Sequence, residues 1–206
     1  MGIDIMRLFN YGALCGILFC ASLLVGCAPL APNVDPPSEY TYIIGPGDSI
    51  EMFVWGNPEV SRTIPVRPDG KINAPLVEEL PASGKTPFQL ARDIEKELAK
   101  YIRNPLVTVI VSNFVGPYSE QVRVVGQAAK PQAVPYKENM SLLDLMILVG
   151  GVTDYAAGNR ATIVRTLNGV KQQLRVRIDD LLEDGDITAN VNILPGDVLI
   201  IPEAYF

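Results

Sequence analysis

Apolar and polar positions first alternate over Ser49–Val54, where Ile50, Met52 and Val54 share one face and Ser49, Glu51 and Phe53 the other. A period of two predicts a half-buried strand, and Pro46-Gly47-Asp48 immediately before it is a turn signal. Residues 63–66 and 71–74 flank Pro68-Asp69-Gly70 and are expected to pair as a hairpin. The period then changes: Leu90, Ala91, Ile94, Leu98 and Tyr101 recur at helical spacing. Thr86-Pro87-Phe88-Gln89 opens this helix with an N-cap, a proline at its first position and a glutamine placed for a capping box. The helix is expected to stop before Asn104-Pro105, because the residue preceding a proline avoids helical angles. The β-branched run at 106–111 then predicts another strand.

Val115-Gly116-Pro117 reads as a boundary, and the pattern starts again beyond it. Residues 121–125 predict a strand. Ser141-Leu142-Leu143-Asp144 has the form of a capping box, Leu145, Met146 and Val149 continue a short helix, and Gly150-Gly151 stops it. Residues 161–167 and 173–178 predict a hairpin around Asn168-Gly169. In its second strand Leu174, Val176 and Ile178 alternate with Gln173, Arg175 and Arg177. Pro195-Gly196-Asp197 before the apolar residues 198–201 echoes Pro46-Gly47-Asp48, an echo that a favourable turn explains without a repeat. Strands and single helices in this order indicate an α+β chain rather than a doubly wound sheet.

The N-terminal part follows a different logic. Residues 8–25 are apolar or small, Arg7 precedes them, and Leu24-Val25-Gly26-Cys27 closes the run. This is the form of a secretory signal, and its last four residues resemble a bacterial lipobox, in which the cysteine is lipidated and becomes the first residue of the mature chain. An uncleaved membrane anchor is the alternative, although such a run is short for a span of about 20 residues. The expectation is a lipoprotein signal peptide over 1–26, lipidation at Cys27 and a proline-rich tether over 27–38. Ala28 after the cysteine resembles an outer-membrane address.

Composition narrows the chemistry. The 206 residues include no histidine, which removes histidine-based acid–base catalysis and histidine metal ligation. The cysteines Cys15, Cys20 and Cys27 all precede the patterned part, so that part has no disulfide framework. A net charge of −6 argues against nucleic acid. The acidic run from Asp179 to Asp186 does not have EF-hand spacing, because Leu182 occupies a ligand position; it reads as a solvated turn. Trp55 could stack on a sugar ring or close a core at a strand end. Arg175 and Arg177, expected on the polar face of one strand, could meet an anionic polymer or simply be solvated. Residues 179–206 contain seven acidic and no basic side chains, and such a stretch lining a pore would repel an anionic polymer. No cofactor, metal site or catalytic residue is indicated.

Several of these segments together resemble a known family. Tyr42-Ile43-Ile44-Gly45-Pro46-Gly47-Asp48, Val54-Trp55-Gly56, Val66-Arg67-Pro68-Asp69-Gly70-Lys71-Ile72 and Asn104-Pro105 look like the N-terminal export domain of bacterial outer-membrane polysaccharide export proteins. Val122-Arg123-Val124-Val125-Gly126-Gln127, Gly150-Gly151-Val152-Thr153, Gly158-Asn159-Arg160 and Leu194-Pro195-Gly196-Asp197 look like a β-grasp soluble-ligand-binding domain. The resemblance implies an export domain at 39–115 and a β-grasp domain at 119–206. It implies no enzyme, but a lipid-anchored subunit of a homo-oligomeric ring on the periplasmic face of the outer membrane. Such a ring guides polysaccharide outward together with an inner-membrane chain-length regulator or kinase. The sequence ends after an apolar strand at Tyr205-Phe206, so the resemblance is to a short form without the C-terminal membrane helix, of the kind found in exosortase-linked loci; a separate outer-membrane β-barrel is the expected partner. A monomeric glycan-binding or adaptor lipoprotein is the alternative.

Overall fold

The computed structural model describes residues 40–167 and 169–205. The expectations for the signal peptide, for Cys27, for the tether and for Asn168 lie outside the described residues. The first unit contains β1 (Ser49–Val54), β2 (Arg62–Pro65), β3 (Lys71–Ala74), β4 (Val77–Pro81), α1 (Pro87–Leu98) and β5 (Val107–Asn113). An antiparallel sheet in the order β2-β1-β5 buries Ile50, Met52 and Val54 of β1 in one core with Leu90, Ala91, Ile94 and Leu98 of α1. The helix starts as its sequence dictates: Thr86 Oγ1 accepts from the Gln89 N–H, and the Gln89 side chain accepts from the Thr86 N–H. Its end comes earlier than the spacing suggests, since Ala99 is the C-cap and Tyr101 lies outside the helix, exposed.

The expected hairpin around Pro68-Asp69-Gly70 is replaced by a parting of strands. The turn itself forms, with the Gly70 N–H donating to Arg67 O (2.8 Å) and the Arg67 N–H to Lys71 O (2.9 Å). Beyond it β2 pairs with β1 and β3 pairs with β4, in a separate two-stranded ribbon. Two sets of bonds pull the strands apart. The Val66 N–H donates to Asp48 O, holding the end of β2 to the start of β1, while Gly70 O accepts from the Ala82 and Ser83 N–H groups beyond β4. β4 escaped the sequence reading because its residues VEELP do not alternate and Glu79 takes a positive φ of 53°. The Glu79 carboxylate is held by Arg67 and by Lys71, and these hydrogen bonds lower its pKa to about 2.

The second unit contains β6 (Gln121–Gly126), β7 (Ala133–Pro135), α2 (Leu142–Val149), β8 (Thr162–Leu167), β9 (Val170–Arg175), α3 (Ile178–Leu182) and β10 (Val198–Ile201). Its five-stranded sheet runs β7-β6-β10-β8-β9, with β10 parallel to β6 and the other pairs antiparallel. Leu142, Leu145, Met146 and Val149 of α2 share a core with Val122, Val124, Ile163 and Leu199 of the sheet. Ser141 and Asp144 form the expected capping box, and Gly150 ends the helix in the left-handed region at φ 78°. The architecture is mixed α and β, as the α+β reading holds. One correction concerns Arg177: β9 ends at Arg175, and Arg177 lies beyond the strand as the N-cap of α3.

Both Pro-Gly-Asp turns share one geometry. Asp48 N–H donates to Gly45 O and Asp197 N–H to Leu194 O, each at 3.2 Å. The glycine between takes a positive φ, 90° at Gly47 and 81° at Gly196, as the third residue of a type II turn requires. Each aspartate then folds back to accept the N–H three residues earlier, Gly45 at 2.9 Å and Leu194 at 2.8 Å. Both are buried, 0 % and 1 % exposed, so an isolated carboxylate would be costly and each needs further partners. Asp197 finds Arg165, itself 2 % exposed, whose Nη2 lies 2.7 Å and Nε 3.0 Å from the carboxylate. Removing one member strands the other charge, whereas replacing both with apolar groups need not destabilise. Asp197→Ala is therefore expected to lower unfolding stability in urea by about 3–5 kcal/mol, and Arg165→Met combined with Asp197→Leu by clearly less.

Candidate functional site at the joint between the units

Asp48 takes its remaining partners from Tyr42 of its own unit and from the segment that links the two units. Its Oδ2 accepts from the Tyr42 hydroxyl at 2.7 Å as well as from Gly45, and its Oδ1 accepts from the Val115 and Gly116 N–H groups at 2.7 and 2.8 Å. The carbonyls of the same two residues accept from Nε2 of Gln121, the first residue of β6, at 3.2 and 3.1 Å. The linking segment is thus gripped on its N–H side by the first unit and on its C=O side by the second. Gly45 permits the approach: a Cβ there would sit 2.0 Å from the Gly116 carbonyl carbon. Gly116 has φ 70°, the left-handed conformation a glycine supplies cheaply.

Aromatic side chains close over this grip. Tyr40 lies at the start of the described chain yet packs on the core of the second unit, its ring edge-to-face with Tyr136 at 5.1 Å. Tyr42 meets Phe114 edge-to-face at 5.2 Å. Burial pushes the Tyr40 phenol up to about 12, with the Glu120 carboxylate adding to the shift. Burial, and then the bond to Asp48, raise Tyr42 well above the ordinary tyrosine range. Beside the joint opens a cleft of about 480 Å³, lined by Tyr42, Asn113 and Phe114 of the first unit and Tyr136, Lys137 and Glu138 of the second. Of its described lining residues Glu138 alone is acidic, and the Ser112 hydroxyl is turned to Ser49 O. The cleft therefore offers ring faces and hydrogen-bonding groups rather than a paired acid and base.

The residues singled out from the sequence lie elsewhere and are not brought together. Trp55 follows β1 in the first unit and is 70 % exposed, with Phe53 edge-to-face at 6.3 Å; it does not close a core. Arg175 ends β9 and donates through Nε to Asn159 O at 2.9 Å. Arg177 is engaged by Asp180 and Asp186, at 2.7 and 3.0 Å, and by Thr188. These pairings also change the meaning of the acidic C-terminal stretch. Asp180 and Asp186 are partly neutralised by Arg177 and Asp197 by Arg165, which leaves Glu183, Asp184 and Glu203 as its exposed acids without an ion pair among the described residues. Asp48, Tyr42, Phe114 and Tyr136 were missed as a group. The one sequence signal for them was the repeated Pro-Gly-Asp before an apolar strand, where an acid sits at a position about to be buried.

With both units and their joint defined, the chain can be compared with known proteins. Residues 36–112 match the family described as "Polysaccharide biosynthesis/export protein", and residues 120–201 match the SLBB domain. The two matches in succession support a protein of the polysaccharide export family, whose members are export and binding proteins, not enzymes. It is 24 % identical over 187 residues to the EPS I polysaccharide export outer membrane protein EpsA of Ralstonia nicotianae, covering 79 % of this chain and 47 % of that one. It is 28 % identical over 160 residues to the polysialic acid transport protein KpsD of Escherichia coli, covering 78 % and 28 %. Similarity to the exopolysaccharide production protein ExoF of Rhizobium meliloti is 30 % over 104 residues, covering 49 % and 24 %. The chain thus spans less than half the length of these relatives.

Two measurements probe the joint. Asp48→Ala leaves buried N–H donors at Gly45 and Gly116 without their acceptor, an expected loss of about 2–4 kcal/mol in urea unfolding. Absorbance titration of the wild type against Tyr40→Phe is expected to show Tyr40 ionising only near pH 12. Its folded pKa is raised from 10.0, so its contribution to stability is complete below pH 10 and is lost as pH rises through about 12. Ionisation of Tyr40 near its ordinary value of 10.0 contradicts a packed joint.

Proposed function

We propose that this polysaccharide export protein is a lipid-anchored subunit of an oligomeric translocon that guides exopolysaccharide across the periplasm and outer membrane. The observation that carries the reading is the succession of an export-family unit and an SLBB unit, fastened through Asp48 and the 115–116 backbone. Further support comes from the lipobox-like Leu24-Val25-Gly26-Cys27 and from relatives named as an outer membrane export protein and a polysialic acid transport protein. The strand order β7-β6-β10-β8-β9, with the first and last strands of the unit parallel in its middle, supports a β-grasp reading of the second unit. The unit limits follow as 39–115 and 119–206, after a signal peptide at 1–26 and a tether at 27–38. An inner-membrane chain-length regulator and a separate outer-membrane β-barrel complete the path.

Guidance of a polymer needs many weak contacts and no reacting group. The cleft at the joint suits a sugar ring against Tyr42 or Phe114, within the roughly 300–1,000 Å³ range of ligand sites. Trp55 presents an exposed stacking surface, and Arg175 offers a cation for an acidic sugar; Arg177 is already committed to two carboxylates and is the weaker contact of the pair. Placed on an anchor whose acyl chains each contribute about 0.8 kcal/mol per buried CH₂, the chain is held at the membrane.

The test is a deletion strain complemented with wild type or with Cys27→Ala, scoring secreted exopolysaccharide and the fractionation of each form. The expected result is secretion restored by the wild type at the outer membrane and not by Cys27→Ala, which is released from it. Unchanged secretion in the deletion strain, with no second gene of the family present, would contradict the proposal and favour an adaptor.

A further inference from the structure

The five strands of the second unit contain no acidic residue, although the whole chain carries 23 acidic against 17 basic side chains. Val122, Val124, Ile163 and Leu199 point into the core, so the residues between them form the face of the sheet turned away from α2. Arg123, Val198, Val164 and Gln173 lie in one row across β6, β10, β8 and β9; Val125, Ile200, Thr162 and Arg175 lie in the next. The middle of this face is aliphatic, with Val125 and Ile200 42 % and 37 % exposed. Its rim is basic, with Arg123, Lys171 and Arg175 exposed. The face has no aromatic ring, which a sugar-binding platform would use; an aliphatic centre with a charged rim is the form of a protein interface.

The opposite layer of the same unit carries the complementary surface. On α3 and the turn after it, Leu182 and Ile187 are 37 % and 67 % exposed, flanked by the exposed acids Glu183 and Asp184. Asp180 and Asp186 alongside are already paired with Arg177. Apolar centre can meet apolar centre while Arg123 and Lys171 meet Glu183 and Asp184.

We propose that the outer face of this sheet docks the α3 edge of a second copy of the chain. Because the two patches lie on opposite layers of one unit, the contact is head-to-tail, and its repetition builds a ring where the rotation closes. The proposal rests on the oligomeric reading above and adds the surfaces that carry it.

The full anchored chain in detergent tests it by sedimentation velocity. Arg123→Glu with Lys171→Glu, and separately Glu183→Lys with Asp184→Lys, are each expected to reduce the assembled fraction about tenfold, and all four together to restore it. Unaltered melting of each variant shows that folding is intact. Val125→Cys and Ile187→Cys in one chain are expected to form intermolecular disulfides on oxidation. Assembly of the wild type that survives both reversals overturns the proposal and leaves the translocon reading standing. Assembly lost on reversing the sheet face but not the α3 edge also overturns it, and assigns the face to another occupant: an acidic glycan, a different envelope protein or residues 1–39. A wild-type chain that stays monomeric contradicts both the proposal and the oligomeric reading.

Discussion

A single buried carboxylate joins the two units of this protein. Asp48 is wholly buried, and among the described residues its carboxylate pairs with no cation and is held by hydrogen bonds from a hydroxyl and three backbone N–H groups. Two of those N–H groups belong to Val115 and Gly116, 67 and 68 residues further along the chain. A buried charge must be satisfied, and here satisfying it fixes where the second unit begins. Gln121 takes the carbonyls of the same residues, so the link has little freedom left on either side. The cleft lined by Tyr42, Phe114 and Tyr136 follows from this, because its walls belong to different units and keep their spacing only while the link is held.

Asp197 shows how the same local motif reaches a different end. It makes the same turn and the same bond to the N–H three residues back, but its outward oxygens meet the Arg165 guanidinium inside its own unit. A turn thus places a carboxylate under the start of a strand in each unit, and the third partner decides whether it braces one fold or joins two. The local part is written in Pro-Gly-Asp. The partner is not, since Arg165 and Val115 are remote in sequence from the turns they complete.

That division between local and remote runs through the whole chain. The capping boxes at Thr86 and Ser141, the alternation of β1 and the glycine stop at Gly150 depend on neighbours in sequence and were legible there. The Pro68-Asp69-Gly70 turn was legible too, but not the separation of β2 from β3, which depends on Asp48 O and on Ala82. β4 and β7 are short strands without alternation, defined by their partners. Trp55 was open to a buried reading because an aromatic residue at a strand end is ambiguous until the layers are known. Of the candidate site, the sequence displayed the exposed Trp55 and the cations, while the cleft depends on contacts across the boundary. The family resemblance was legible because its motifs are these same turns, in order, and the matches over 36–112 and 120–201 bear it out.

Under the proposed translocon role the mechanical consequence matters most. A subunit that guides a polymer must keep its two units in register while many weak contacts form and break, and a hinge at 115–117 would defeat that. Native-state hydrogen exchange on the wild-type chain measures this most directly, by comparing the opening free energies of the two cores and of the Val115 and Gly116 amides. The account predicts that both amides are protected and exchange only with opening of the core around Ile50 and Leu90. Rapid exchange at Val115 and Gly116 while both cores remain closed would contradict it.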